Sequence, residues 1–169
     1  SNPAMGLKAA ETATLHFNQT PALRLGDADF DYTAFVDLGN LMWCAMAVGT
    51  CEAIKAYCIK YANERTAFGE PISHRQSVAF MIADMAIEID AMRMLVLNAA
   101  SLAEAGQPFH REAYLARLLC AEKSMKTGTD GVQILGGHGF TKEHPVERWY
   151  RDLRATAILR SEERRVGKE

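Results

Sequence analysis

Apolar residues recur every three or four positions over three long stretches of this chain, the spacing that places them on one face of an α-helix. The first run holds Phe35, Leu38, Leu41, Met42, Ala45, Met46 and Gly49 and continues through Ala53 and Tyr57, which predicts one long helix. Arg65-Thr66-Ala67-Phe68-Gly69-Glu70-Pro71 ends it, because a glycine and then a proline halt propagation. The second run, Val78, Met81, Ile82, Met85, Ile89, Met92 and Val96, opens with Ser73 and Gln76 at capping-box spacing and closes near Gly106-Gln107-Pro108. The third carries Leu115, Leu118, Leu119, Met125, Val132 and Leu135, with Gly128 and Gly131 inside it. Each glycine costs a helix up to about 1 kcal/mol relative to alanine, so close contact with a neighbouring helix is expected there. A shorter fourth helix is expected from Pro145 to about Leu159. Amphipathic helices joined by short connections predict an all-α, up-and-down bundle.

The bundle is expected over residues 27–159. Before it, Thr12-Ala13-Thr14-Leu15-His16-Phe17 alternates as a strand does, and Asn18-Gln19-Thr20-Pro21 is turn chemistry. One short strand cannot satisfy its own edges, so residues 1–26 read as the remnant of a β-domain preceding the bundle. Residues 160–169 are almost all polar and abandon the apolar period, which makes them either a solvated tail or non-native sequence.

Composition narrows the possibilities. The chain has 169 residues, 49% hydrophobic and 24% charged, within the range of one globular domain with a sizeable core. A formal net charge of -2 gives no electrostatic reason to expect nucleic acid or an anionic membrane as partner. No uncharged run reaches the roughly 18 residues of a membrane span. Cys44, Cys51 and Cys58 fall seven apart, on one helix face but about 10 Å from one another, too far for a disulfide or a shared metal, and they read as small apolar residues on a buried helix stripe. Cys120 stands alone, and reduced thiols in a cytoplasmic setting follow; a removed organellar targeting peptide would leave no trace.

The densest chemistry lies in Gln133-Ile134-Leu135-Gly136-Gly137-His138-Gly139-Phe140, followed by Pro145-Val146-Glu147-Arg148-Trp149-Tyr150-Arg151-Asp152. A glycine pair commonly just terminates a helix, but it also lets a ligand approach the backbone closely. Arg65, Phe68 and Gln76 bracket a helix boundary. A guanidinium suits a pyrophosphate through paired hydrogen bonds, and a ring suits a flat adenine. The plainer roles are a helix-dipole partner for Arg65, a core residue for Phe68 and a cap for Gln76. His138 reads chiefly as a solvated loop residue with a phosphate within reach, and His144 as a contributor to capping. Glu147, Arg148, Arg151 and Asp152 read as exposed helix pairs. No histidine and carboxylate spacing suggests a metal site, and no Gly-x-Ser-x-Gly elbow is present.

Met5-Gly6 through Phe17, Ala47-Val48-Gly49, Arg65 to Gly69, Gln76, Ala83-Asp84-Met85, Gln133 to Phe140 and Pro145 to Asp152 together resemble the acyl-CoA dehydrogenase pattern in its order and near its intervals. The resemblance covers the end of that family's middle β-domain and most of its C-terminal helical domain. It implies an oxidoreductase of fatty acid metabolism with FAD as cofactor, an acyl-CoA substrate, an electron acceptor, and a homo-oligomer, dimer or tetramer, in which one subunit completes its neighbour's flavin site. By matching position, Arg65 meets the flavin pyrophosphate, Phe68 and Gln76 the adenosine portion, and Gln133, Gly136 and Gly137 the adenylate end across the subunit interface. Ala67 replaces a hydroxyl residue common in the family. Asp37 matches an acidic residue that helps hold the substrate, and Asn40 stands where arginine is frequent.

The family's base is a glutamate that removes the proton beside the thioester carbonyl, and it should follow Ile158-Leu159. Arg160 occupies that position. Arginine cannot act as a base at neutral pH, so no catalytic residue is expected in this chain and dehydrogenase activity is expected to be absent from it. The alternative is a base-less partner subunit of a hetero-oligomeric acyl-CoA dehydrogenase, contributing flavin binding and assembly only.

Overall fold

The computed structural model describes residues 4–10, 13–24 and 26–158. Among these, four helices carry the architecture: α1 (Tyr32–Glu64), α2 (Gln76–Glu104), α3 (His110–Leu135) and α4 (Val146–Ile158). The class and the helix order are those that the apolar spacing predicts. α1 and α3 form the central pair, each packing on the other and on both remaining helices.

Local signals set the helix ends. The Asp31 carboxylate accepts from the Ala34 backbone N–H at 2.9 Å and satisfies one of the orphan donors of α1. At the far end Arg65 turns to extended backbone, its N–H still donating to the Tyr61 carbonyl at 2.8 Å. A two-residue hairpin follows, with β1 (Thr66–Ala67) antiparallel to β2 (Glu70–Pro71). Its turn residues Phe68 and Gly69 both have positive φ, 57° and 87°, the pattern of a tight hairpin turn that matches strand twist. A 3-10 turn, Ile72–His74, then leads into α2. The capping box expected of Ser73 and Gln76 does not form. The 3-10 turn consumes Ser73, Arg75 becomes the N-cap without a side-chain bond, and Gln76 sits at the first helical position, not the third.

Residues 13–24 contain no strand, because an alternating segment without a neighbouring strand has no ladder to join. Thr12, Leu159 and the tail 160–169 lie outside the described residues. The N-terminal segment instead clasps α4: the Leu7 N–H donates to Asp152 Oδ1 at 2.6 Å, and the Arg151 guanidinium donates to the Met5 carbonyl at 2.8 Å. Arg151 also grips both carboxylate oxygens of Glu147, at 2.8 and 3.1 Å. Arg151 and Asp152 are therefore long-range fasteners as well as members of a helix pair.

α2 buries Met85, Ile89, Met92, Val96 and Ala99, an alternating three-and-four seam as the sequence indicates. On α1 the cysteine-bearing stripe is buried, as the sequence indicates, but most of the larger apolar side chains of the same run fall outside it. Leu41, Cys44, Val48, Cys51, Ile54, Cys58 and Ala62 point inward, whereas Phe35, Leu38, Met42 and Met46 stay exposed. α1 is apolar nearly all round, so spacing alone does not choose between its sides. It is long and apolar enough by composition to cross a bilayer, yet here its cysteine-bearing face is the core of the bundle. Burial pushes the Cys51 and Cys58 thiols up to about 12, which keeps them protonated. Cys120 is not alone: the Cys44 thiol across the α1–α3 seam, together with burial, pushes the Cys120 thiol well above its ordinary value.

α3 shows the second correction. Its buried residues are Ala113, Ala116, Cys120, Ser124, Thr127, Gly128, Gly131, Ile134 and Leu135, while Leu118 is exposed and Leu119 and Val132 only partly covered. Small side chains let α3 approach its neighbours. A Cβ on Gly131 would lie 2.6 Å from Ile54 Cγ2 and 3.1 Å from Val146 Cγ1, and one on Gly128 would stand 3.3 Å from the Tyr150 backbone. The expectation that these glycines permit close helix contact holds. Gly131→Ala should therefore destabilise the chain by about 1–3 kcal/mol, because overpacking outweighs the roughly 1 kcal/mol gained in helix propensity. Denaturant unfolding measures it, and a stabilised variant would contradict the contact.

Electrostatics adds a pH dependence. Lys55 and then Arg93 hold the Glu52 carboxyl below its ordinary value of 4.5, and Arg151 does the same for Glu147. A depressed carboxylate contributes stability that is complete above the unfolded value and is lost as pH falls through the folded one. The melting temperature should thus hold from neutrality to about pH 5 and drop below it. The double variant Glu52→Gln, Glu147→Gln should start lower and drop less over the same range. Parallel curves would show that these pairs contribute nothing.

Candidate functional site

The C-terminal ends of α1 and α3 and the start of α2 meet at one end of the bundle, where all six predicted cofactor residues gather. Arg65 caps α1 and is exposed; among the described residues no carboxylate pairs with its guanidinium. It stands where a helix-dipole partner would, with its charge uncommitted.

Phe68 is not a core residue. Its ring is 95% exposed at the tip of the hairpin, with the Arg75 guanidinium 5.7 Å from its centroid. A bulky residue at positive φ is rare and persists where the surrounding structure demands it. Here the β1–β2 turn holds an aromatic face out to solvent. Gln76 is exposed and, with no capping box formed, its amide makes no hydrogen bond among the described residues.

At the end of α3, Gly136 takes φ 57° and ψ −131°, a conformation closed to residues with a Cβ. The chain then winds as a 3-10 turn, Gly136–Phe140. A Cβ on Gly139 would lie 2.4 Å from the Val132 carbonyl oxygen, so the turn folds tightly back on α3. Gly136 and Gly137 differ: a Cβ on either meets nothing within 4 Å, and both are exposed beside exposed Gln133. Bare backbone and an amide thus face open space.

Tyr61 joins the two helix ends. Its hydroxyl lies 2.8 Å from His138 Nδ1 and 3.4 Å from the Leu135 carbonyl oxygen. One turn back, the Tyr57 hydroxyl lies 2.7 Å from His144 Nδ1, and the two imidazoles stack with centroids 5.2 Å apart. His138 is therefore a half-buried, bonded residue and not a solvated one. Tyr61 went unnoticed in the sequence, and Tyr57 and His144 were read only as a member of the apolar run and a contributor to capping. The four-residue spacing of the tyrosines, running along α1 toward Arg65, was the signal that could have pointed to two of them.

Asp37 is not brought to this end. It lies at the other end of α1, roughly 40 Å away by helical rise. Buried to 7% side-chain exposure, it is bonded at 2.7 Å to Nδ1 of His110 at the start of α3. It borders a separate cavity with Asp31, Thr33, Gln107 and His110. Arg160 lies outside the described residues.

The gathered end suits an extended ligand carrying negative charge and a flat ring. An uncommitted guanidinium, an exposed ring, two free amides and a bare glycine backbone are what such a ligand requires. FAD has that chemistry, and the residues fit it.

Fold and site together define a helical bundle with one exposed, polar, glycine-bearing end. The family model described as "Acyl-CoA dehydrogenase, C-terminal domain" matches residues 32–160. A probable acyl-CoA dehydrogenase, YngJ, of Bacillus subtilis (strain 168) is 38% identical over 91% of this chain and 42% of its own length. The Caffeyl-CoA reductase-Etf complex subunit CarC of Acetobacterium woodii is 38% identical over 80% of this chain and 36% of its own. The solved butyryl-CoA dehydrogenase from Megasphaera elsdenii superposes with a TM-score of 0.73 at 37% identity, covering 75% of this chain and 33% of that one. The chain belongs to the acyl-CoA dehydrogenase family. It spans about two fifths of the length of the curated relatives it matches.

Proposed function

We propose that this chain is the C-terminal bundle of a flavin-dependent acyl-CoA dehydrogenase. The whole protein converts an acyl-CoA thioester to the 2-enoyl-CoA and passes electrons onward from FAD. The observation that carries the reading is the shared end of the bundle, where Arg65, Phe68, Gln76, Gln133 and the Gly136-Gly137 turn stand exposed and uncommitted in a chain of this family. Arg65 offers paired N–H donors to the cofactor's diphosphate, and Phe68 offers a face to its adenine. Gln76 and Gln133 offer amides, and the glycine pair admits close backbone approach. When bound, FAD supplies the two-electron acceptor. A second subunit provides the rest of the pocket in a homo-oligomer, and Asp37 at the opposite end contacts the thioester substrate. The electron acceptor is of the electron-transferring flavoprotein type, supported by the relative that is a subunit of an Etf complex.

The test is flavin bleaching by acyl-CoA substrates of graded chain length, using the intact protein loaded with FAD. Substrate-dependent bleaching supports the reading. A flavin unbleached by every chain length tested, even with a glutamate placed at position 160, removes it.

Arg160 favours a second reading, a base-less subunit that completes the flavin site of a catalytic partner. That subunit bleaches nothing alone but raises FAD retention when mixed with the partner.

A further inference from the structure

The cavity at the opposite end of α1 has a volume of about 430 Å³ and lies between the first turns of α1, the end of α2 and the start of α3. Asp37 and His110 line it together with Asp31 and Gln107. The Asp37 side chain is 7% exposed, and its Oδ2 lies 2.7 Å from Nδ1 of His110. A buried charge is costly unless paired, and among the described residues no lysine or arginine pairs with this carboxylate. His110 is its partner there. An ionised carboxylate only accepts, so Nδ1 carries the proton of the bond. The terminal torsion of an aspartate is broad and roughly two-fold, so the side chain's own rotamer does not fix the plane of the carboxylate. The bond to Nδ1 does. Oδ1 has no bond among the described residues, where Ser124 Oγ is the one unpartnered polar side-chain atom sealed from solvent. Oδ1 therefore opens onto the cavity.

An accepting oxygen selects what it can meet. The phosphates and the thioester carbonyl of an acyl-CoA only accept, whereas the amide N–H groups of its pantetheine arm donate and are the donors nearest the thioester. We propose that His110 is a positioning residue, whose Nδ1–H holds Oδ2 so that Oδ1 is directed at an amide N–H of an acyl-CoA. This role rests on the reading in which Asp37 contacts the thioester substrate. It adds a residue that acts only through Asp37, and it names the part of the substrate that the carboxylate meets.

The test titrates the intact FAD-loaded protein with butyryl-CoA and palmitoyl-CoA by calorimetry, since binding requires no base at position 160. His110→Gln, whose amide takes the place of Nε2, should weaken the tighter ligand at least about tenfold. His110→Asn, whose amide takes the place of Nδ1, should stay within about threefold of the parent. In an Asp37→Asn background, His110→Gln should cost less than about twofold more, because the carboxylate it acts through is gone. Butyryl-pantetheine, which keeps the amides without the nucleotide, should lose the same factor as the CoA thioester, and a loss confined to the CoA form overturns the amide assignment. Thermal unfolding of each variant separates binding from folding. A His110→Gln protein that melts earlier but binds as tightly as the parent makes the pair structural only, which overturns the positioning role and leaves the substrate reading standing. Equal losses in both backgrounds also overturn it, because His110 then acts without Asp37. A parent that binds neither thioester removes the substrate reading and the role of His110 with it.

Discussion

Replacing Arg160 by glutamate in the FAD-loaded protein should raise the rate of flavin bleaching by an acyl-CoA by about 100- to 10,000-fold, the usual contribution of a positioned general base. The guanidinium at this position has five donors and no acceptor, so it cannot take the proton beside the thioester carbonyl. A carboxylate can, and desolvation in a closed site raises its basicity toward that demand. The segment leading to position 160 is anchored in advance. α4 is gripped by the Arg151–Glu147 pair, by Asp152 accepting from the Leu7 N–H, and by Arg151 reaching the Met5 carbonyl. Anaerobic stopped-flow absorbance of the two proteins, with one acyl-CoA, measures the ratio. A ratio near one would show that position 160 is not where the base stands and would favour the partner-subunit reading.

Arg65→Ala should weaken FAD by about 10- to 100-fold. Hydrogen bonds to charged groups contribute roughly 1.5–3 kcal/mol, and each 1.4 kcal/mol is tenfold in affinity. Arg65→Lys should fall between, because an ammonium keeps the charge but loses the planar fork. Stability should change by less than about 0.5 kcal/mol in both, since the side chain is exposed and unpaired among the described residues. Fluorescence quenching on FAD titration gives the affinities, and thermal unfolding in parallel separates binding from folding. Unchanged affinity with alanine would detach Arg65 from the cofactor.

Each candidate site residue was legible through a short, ordered motif, because such motifs survive in one dimension. Their readiness to bind was not recognisable. Phe68 belonged to a segment read as a helix stop, with a place in the core as its plainer role. Its exposure depends on a two-residue turn at positive φ that neither the glycine nor the proline specifies alone. Gln76 looked like half of a cap, and only the intervening 3-10 turn frees it. The pairing of the histidines with the tyrosines was out of reach: the partners lie 77 and 87 positions apart, and the four-residue spacing of the tyrosines points to them alone.

The sequence by itself determined the all-α class, the helix order, the helix boundaries to within a few residues, and the family. These follow from apolar spacing, glycine and proline punctuation and motif order, all of which act over a few neighbouring residues. Tertiary structure decided which faces are inside. α1 is apolar on two sides; the cysteine spacing marks the buried stripe, but only packing leaves Phe35, Met42 and Met46 outside it. α3 packs through alanine, serine, threonine and glycine, which a hydrophobicity pattern passes over because their value lies in the approach they permit, not in the apolar area they carry. Packing also ties Asp37 to His110, since the partner of a buried carboxylate is set by which helix ends meet.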